Sequence, residues 1–219
     1  MICSDTLPLP PADRREILRY AGVREETAQI LQLLDSCLAE AAPVLTGKIC
    51  WSVFPLTFQE DGLDLTFART GSGSLRRVLQ GCDQILVFAA TLGLGLDRLI
   101  ARYSRLSPAR ALMLQAIGTE RIEALCDAFC RTMAETPPDS PLTARFSPGY
   151  GDLPLALQED IFRVLDCPRK IGLTLNESLL MSPSKSVTAI VGLGSCAAAH
   201  HPAGCRSCGK TDCLYRRMP

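Results

Sequence analysis

A tight turn between an arginine and a tyrosine is the first segment whose residue types suggest chemistry. Residues 145–151 read RFSPGYG. Arg145 can donate two parallel hydrogen bonds to a carboxylate, and Pro148 with Gly149 favours a turn whose backbone amides approach a ligand closely. Tyr150 adds a flat aromatic face for a base such as adenine and a hydroxyl for one polar contact. The segment predicts a small-molecule clamp; the alternative is a surface arginine before an ordinary Pro-Gly turn.

The C-terminal cysteines are the second candidate for chemistry. Four of the eleven cysteines lie in the last two dozen residues: Cys196, Cys205, Cys208 and Cys213. The two-residue spacing within the middle pair lets two thiolates bind one metal from a single turn, and four thiolates suit tetrahedral zinc or an iron–sulfur cluster. His200 or His201 could replace Cys196 as a ligand. The alternative is four free thiols, which would be prone to oxidation.

Periodicity and turn residues predict the elements that position these groups. We expect helices over 14–40 with a break near Gly22, from Ser74 as a cap to Gly81, from Gly95 to about Tyr103, from Pro108 with Ser107 as its cap, and over 153–165. We expect a hairpin over 49–68 around Asp61-Gly62 and strands over 84–90, 170–176 and 185–193. Hairpin and helices together predict an α+β domain with a mostly antiparallel sheet over 1–194, followed by a metal-binding tail over 195–219.

The glycines of Thr91-Leu92-Gly93-Leu94-Gly95 have two interpretations. A phosphate-binding loop would need a third glycine and a basic residue followed by Ser or Thr, and both are missing. We therefore favour a tight strand-to-helix turn.

Composition excludes several classes of protein. The chain has 219 residues, of which 47% are hydrophobic, and 23 basic residues balance 23 acidic ones. Neutral charge argues against nucleic-acid binding, although Arg206, Lys210, Arg216 and Arg217 lie near the cysteines. No apolar run approaches the ~20 residues of a membrane helix, and the N-terminus lacks a signal-peptide pattern. We expect a cytoplasmic protein without nucleic-acid or membrane partners.

The segment from Arg145 to Gly194 resembles the activation (reactivation) domain of cobalamin-dependent methionine synthase. RFSPGYG resembles the family's Arg-x-x-x-Gly-Tyr signature. LQEDIFRVLD, followed by IGLTLNESLLMSPSKSVTAIVGL, resembles the family's helix, its Leu-Thr-Glu-Ser segment and its Ser-Val-Ser-Gly strand. Asn176-Glu177-Ser178 replaces Thr-Glu-Ser, whereas Met181, Pro183 and Ser186-Val187 keep their places. The resemblance implies a twisted, mostly antiparallel sheet flanked by helices.

The resemblance also implies a ligand, S-adenosylmethionine, with its carboxylate on Arg145. The residues it assigns to this ligand are Arg145, Pro148, Gly149, Tyr150, Asp127, Glu177 and Ser186. Asp127 is included because LCDAFC resembles a Leu-x-Glu-Ala-Phe element whose acidic residue faces the ligand. The alternative for Asp127 is an i,i+4 surface pair with Arg131.

The chain departs from the family in three places. A tyrosine segment that follows the family's last strand is replaced by Gly194-Ser195-Cys196-Ala197, an N-terminal acidic contact is not identifiable, and the cobalamin signature Asp-x-His-x-x-Gly is absent. We therefore expect a free-standing activation domain that needs a partner, either a corrinoid protein or a methionine synthase lacking its own activation domain.

Two functions follow from these observations. The resemblance implies a reactivation module for methionine biosynthesis: S-adenosylmethionine and one electron, from a flavodoxin-type reductant or the cysteine tail, convert a partner's cob(II)alamin to methylcobalamin. The module would position the methyl donor and would not be a complete methyltransferase alone. The alternative, favoured by the missing tyrosine segment, is a zinc- or iron–sulfur-stabilised scaffold or electron-transfer protein that kept the fold and lost S-adenosylmethionine.

Overall fold

The computed structural model describes residues 1–135 and 142–194. Its helices are α1 (Arg14–Tyr20), α2 (Ala28–Ala41), α3 (Gly73–Val78), α4 (Leu94–Leu106), α5 (Pro108–Ala134), α6 (Leu157–Leu165) and α7 (Cys167–Ile171), with a 3-10 turn at Ala42–Val44. Its strands are β1 (Cys3–Leu7), β2 (Gly47–Pro55), β3 (Thr57–Gln59), β4 (Gly62–Asp64), β5 (Arg69–Thr70), β6 (Gln84–Thr91), β7 (Thr174–Leu175), β8 (Met181–Ser182) and β9 (Ser186–Leu193).

A four-stranded antiparallel sheet in the order β1-β2-β6-β9 forms the centre of the fold. β6 lies between β2 and β9, and both of its faces are buried because helices cover the sheet on two sides. Successive side chains of a strand point to opposite faces, so Leu86, Phe88 and Ala90 join one core and Ile85, Val87 and Ala89 join the other. This explains the uninterrupted apolar run of 85–90. The sequence correctly predicts a buried strand over 84–90.

The two cores use different helices. The first core packs α1, α2, α4 and α5 against the sheet, and Leu34, Leu96, Leu114 and Leu125 are fully buried in it. The second core packs α3, α6, α7 and the short strands against the opposite face. The result is a layered α+β fold with an antiparallel sheet, as the sequence predicts. The predicted tail, 195–219, lies outside the described residues.

The N-terminal residues form a strand that the sequence analysis missed. β1 pairs along the edge of the sheet with β2. Two side chains of α5 hold the segment that follows β1. The Arg121 guanidinium donates to the carbonyl oxygens of Pro10 and Pro11. The Glu120 carboxylate accepts from the Asp13 amide at 3.1 Å. Glu120 and Arg121 are buried and paired with each other. α1 therefore begins at a fixed position on α5.

Three local predictions are wrong. The expected strand over 170–176 is mostly α7, because Pro168 fits the first turn of a helix, and only Thr174–Leu175 pairs as β7. The cap of α3 is Ser72, which accepts from the Leu75 amide, rather than Ser74. The expected hairpin is limited to β3 and β4, because β2 pairs with β1 and β6 instead.

The glycines where β6 passes into α4 serve packing. A Cβ atom on Gly95 would lie 2.4 Å from the carbonyl oxygen of Val44, which is closer than a Cβ atom comes to such an oxygen in folded proteins. This contact supports the prediction of a tight strand-to-helix turn. In the ranges 1–135 and 142–194, none of the helices combines the length and apolar character needed to cross a bilayer.

Candidate functional site

A cleft of about 360 Å³ lies between α5, the 145–151 turn, α6 and the beginning of β9. Its volume falls within the range typical of small-molecule sites. Among residues 1–135 and 142–194, ten line it: Glu123, Arg145, Ser147, Pro148, Tyr150, Gln158, Met181, Ser186, Val187 and Thr188. The cleft therefore joins the arginine-tyrosine turn to the strand that the sequence places almost forty residues later.

The turn is attached to β9 and then reverses sharply. Phe146 exchanges two backbone hydrogen bonds with Ile190, of 2.8 and 2.9 Å, which places the neighbouring Arg145 and Ser147 beside the strand. Gly149 adopts φ +88°, a left-handed conformation that favours glycine, and its amide donates to the Leu153 carbonyl at 2.9 Å. The reversal brings Tyr150 to the edge of the cleft.

Tyr150 packs against one other ring and keeps a large open surface. Its ring lies edge-to-face on Phe146 with centroids 6.2 Å apart, yet the residue is 61% exposed. An exposed aromatic face beside a cleft is available for stacking on a flat ligand group.

Arg145 forms two ion pairs with α5. Its guanidinium donates to Glu123 at 2.7 Å and to Asp127 at 2.6 Å, and its side chain is only 23% exposed. Asp127 therefore pairs with Arg145 across two elements, rather than with Arg131 one turn along the same helix. The two carboxylates and one guanidinium give this group a net charge of about −1 at neutral pH.

Two cysteines on α5 lie near Arg145 without becoming reactive. Burial raises the pKa of the Cys126 thiol, and burial likewise raises the pKa of the Cys130 thiol against the opposing effect of Arg145. Both thiols therefore stay protonated at neutral pH. Because the thiolate is the nucleophile, these two sulfurs are not nucleophilic at neutral pH.

The inner surface of the cleft contains two polar groups that other protein atoms leave available. Gln158 and Thr188 are 4% and 3% exposed. The Gln158 amide nitrogen donates to the Leu179 carbonyl at 3.1 Å, which fixes the side chain. Within the described ranges, neither the Gln158 amide oxygen nor the Thr188 hydroxyl has a protein hydrogen-bond partner. Nearly buried polar groups of this kind are suited to bonding a ligand.

Comparison with known proteins finds a solved structure with a similar fold. No family model matches the chain, and no curated protein matches it. Among solved structures, the crystal structure of the MetH reactivation domain bound to AdoHcy (S-adenosylhomocysteine) is similar, with a TM-score of 0.62 and 16% sequence identity over 88% of this chain and 78% of that one. The chain has the fold of that reactivation domain. The implied fold is thus confirmed for the described residues.

The structure brings together most of the residues that the sequence nominates. Arg145, Pro148, Tyr150 and Ser186 line the cleft, and Gly149 lies in the same turn. The Ser186 hydroxyl is already partnered, at 2.8 Å from both the Thr91 hydroxyl and the Pro183 carbonyl oxygen.

Two nominated residues occupy other positions. Asp127 does not line the cleft itself but pairs with Arg145, which does. It lines an adjoining cleft beside α1. Glu177 is exposed in the 176–180 turn and does not line the cleft.

Gln158 and Thr188 are cleft residues that the sequence alone does not predict. Both were within the family-like segment, but each looks like an ordinary helix or strand residue when its neighbours across the fold are unknown. For metals, no group of three or more His, Cys, Asp or Glu side chains in residues 1–135 and 142–194 is placed to hold an ion. The four nominated cysteine ligands lie outside those ranges.

Proposed function

We propose that this protein is an S-adenosylmethionine-binding reactivation module for a cobalamin-dependent methionine synthase or a related corrinoid methyltransferase. One observation carries the proposal. A ligand-sized cleft, lined by Arg145 and Tyr150, occurs in the fold of a domain whose crystal structure holds AdoHcy.

The charges of the cleft suit the amino-acid end of S-adenosylmethionine. That end carries a carboxylate and an ammonium, and the sulfonium adds a further positive charge. Arg145 would bind the carboxylate through its planar pair of N–H groups, while Glu123 and Asp127 would accept from the ammonium. The ligand would therefore enter the existing ion-pair group by exchanging partners, and the group's net negative charge would complement the ligand's net positive charge.

The remaining lining suits a nucleoside. Tyr150 offers an open aromatic face for the base. The Gln158 amide oxygen can accept a hydrogen bond, and the Thr188 hydroxyl can donate or accept one, so a base amino group and ribose hydroxyls are suitable partners.

The chain would contribute binding and orientation. When bound, S-adenosylmethionine supplies a methyl group activated by its sulfonium; the acceptor is the corrinoid of a partner protein. Holding the donor in one orientation makes methyl transfer to a docked partner effectively unimolecular, which is a large part of catalysis in such reactions. This role requires neither an acid nor a base from the cleft.

Isothermal titration with S-adenosylmethionine tests the proposal. We expect saturable binding by the wild type and a dissociation constant about 10- to 100-fold higher in Arg145→Gln, because a charge-assisted pair to the ligand is lost. Arg163→Gln is the matched control, since Arg163 is a largely exposed arginine on α6 that pairs with Asp160. No binding by the wild type, or equal binding by Arg145→Gln, would reject the proposed site.

A further inference from the structure

Asp152, immediately after the tyrosine turn, is bonded to a different part of the chain. Its carboxylate accepts from the Ser72 hydroxyl at 2.5 Å, the Gly73 amide at 2.8 Å and the Ser74 amide at 3.1 Å. These groups lie at the beginning of α3, almost eighty residues earlier. The three bonds therefore connect the turn to α3; we call this group of contacts the Asp152 latch.

The latch connects a surface turn to a rigid part of the fold. α3 is fixed by Leu75, which is fully buried in the second core. Ser72 also accepts from the Leu75 amide at 3.1 Å, so one hydroxyl joins the cap of the helix to the carboxylate. Because charge-assisted bonds are stronger than neutral ones, Asp152 fixes the turn more firmly than its exposed location suggests.

Close packing accompanies the latch. Gly151 has φ +55°, and a Cβ atom at this position would lie 2.8 Å from the Ser74 hydroxyl oxygen. The backbone of the turn therefore lies directly against α3. On its other side the turn carries Pro148 and Tyr150, which line the cleft.

We propose that Asp152 is a positioning residue for the cleft: by binding the beginning of α3, it holds the 148–151 turn where Pro148 and Tyr150 meet the ligand. The inference rests on the proposed function for the identity of that ligand. The mechanical part, that Asp152 fixes the turn, stands on the three hydrogen bonds alone.

The protonation state of Asp152 suits a permanent latch. Its hydrogen bonds from the Ser72 hydroxyl and the Ser74 amide lower the pKa of the carboxyl. A lowered folded-state pKa means that the stabilising effect is complete above the unfolded value of about 4 and is lost only as the pH falls through the lower folded value. Asp152 therefore stays ionised between about pH 5 and pH 8, and we expect its contribution to ligand binding to be constant over that range.

Two readouts on the full chain test the latch. We expect Asp152→Ala to raise the dissociation constant for S-adenosylhomocysteine about ten-fold, in line with the loss of a capping side chain. We also expect it to speed hydrogen exchange at the Gly149 and Leu153 amides, whose acceptors lie within the turn. Asp152→Asn keeps the volume and one acceptor oxygen, so it should show intermediate effects even where the alanine variant folds poorly.

The control is Thr27→Ala, which removes the N-cap of α2, a side chain that accepts from the Ile30 amide at 3.3 Å. It should lower the melting temperature without changing the dissociation constant. Unchanged exchange in both Asp152 variants would overturn the latch. Faster exchange with unchanged ligand affinity would overturn its positioning role. Faster exchange in a protein whose wild type binds no S-adenosylhomocysteine would confirm the mechanical part and reject the proposed function.

Discussion

At the scale of single residues, the distinctive feature is an arginine held by two carboxylates. Arg145 is mostly buried, and its partners Glu123 and Asp127 stand one helical turn apart on α5. Under the proposed function, these three side chains form a charged site that is already assembled for the amino-acid end of the ligand.

The charge of this group predicts discrimination between two ligands. S-adenosylmethionine has one more positive charge than S-adenosylhomocysteine, so removing a negative charge should affect the former more. We expect Asp127→Asn to raise the dissociation constant for S-adenosylmethionine about 3- to 10-fold, because screened charges interact by about 1 kcal/mol. The dissociation constant for S-adenosylhomocysteine should rise less. Titration of both ligands measures this, with Glu159→Gln, an exposed carboxylate on α6, as control. An equal loss of affinity for the two ligands would contradict the charge argument.

Thr188 should show opposite effects on stability and binding. Its nearly buried hydroxyl has no protein partner in the described ranges, so Thr188→Val should leave the free energy of unfolding unchanged or raise it by up to about 1 kcal/mol. The same change should raise the dissociation constant for S-adenosylhomocysteine about 3- to 10-fold, because the ligand loses a hydrogen bond.

Thr91→Val provides the contrast for the Thr188 experiment. Thr91 is fully buried, and its hydroxyl is bonded to the Gly93 amide and the Ser186 hydroxyl, so we expect a loss of about 1–2 kcal/mol in denaturant unfolding. A destabilised Thr188→Val with unchanged affinity would show that the hydroxyl serves the fold instead.

At the scale of elements, sequence patterns predict long and strongly patterned segments best. β6, β9 and α5 were recognisable because a fully apolar run or a long helical stripe has few alternatives. β1 was missed since CSDTL is polar and its strand lies at an edge with three exposed residues. The error over 170–176 has a similar cause: Ile171 and Leu173 are both buried in alternation like strand residues, although the first belongs to a five-residue helix.

The site was predictable only where its residues are close in sequence. The turn from Arg145 to Tyr150 is local, so its residue types suggested a clamp directly. The pairing of Arg145 with Asp127 and the latch from Asp152 to Ser72 depend on contacts across the fold. For Asp127, helical spacing suggested a surface pair with Arg131, whereas the pair with Arg145 depends on the packing of the turn on β9.

The beginning of α4 gives a prediction about element packing. Gly95→Ala places a methyl group against the Val44 backbone, so we expect a loss of about 1–3 kcal/mol in unfolding free energy. Gly71→Ala is the control, because a Cβ there meets its nearest atom at 3.6 Å and should be nearly neutral. Denaturant unfolding of both variants checks this, and equal stability of the two would contradict the packing explanation.

At the scale of the whole molecule, the cleft draws on both sides of the central sheet. α5 packs in the first core, whereas α6 and the latch belong to the second. β9 connects the two, since it is the last strand of the sheet and contributes Ser186, Val187 and Thr188 to the lining. A ligand in the cleft would therefore contact elements that are each fixed by a separate core, which favours a preformed site.

The metal-binding tail stays a prediction from the sequence, to be tested by metal analysis of anaerobically purified protein. Among residues 1–135 and 142–194, every lining residue of the cleft lies between Glu123 and Thr188. Ligand titration before and after metal removal measures whether a metal at Cys205 and Cys208 affects the cleft.

The most direct test of the central claim is a crystal structure of the protein with S-adenosylhomocysteine. We predict ligand density in the cleft, with the carboxylate bonded to Arg145, the base on the face of Tyr150 and a hydrogen bond to Thr188 or Gln158. Density for the ligand elsewhere, or an empty cleft in crystals grown at saturating ligand, would contradict the account.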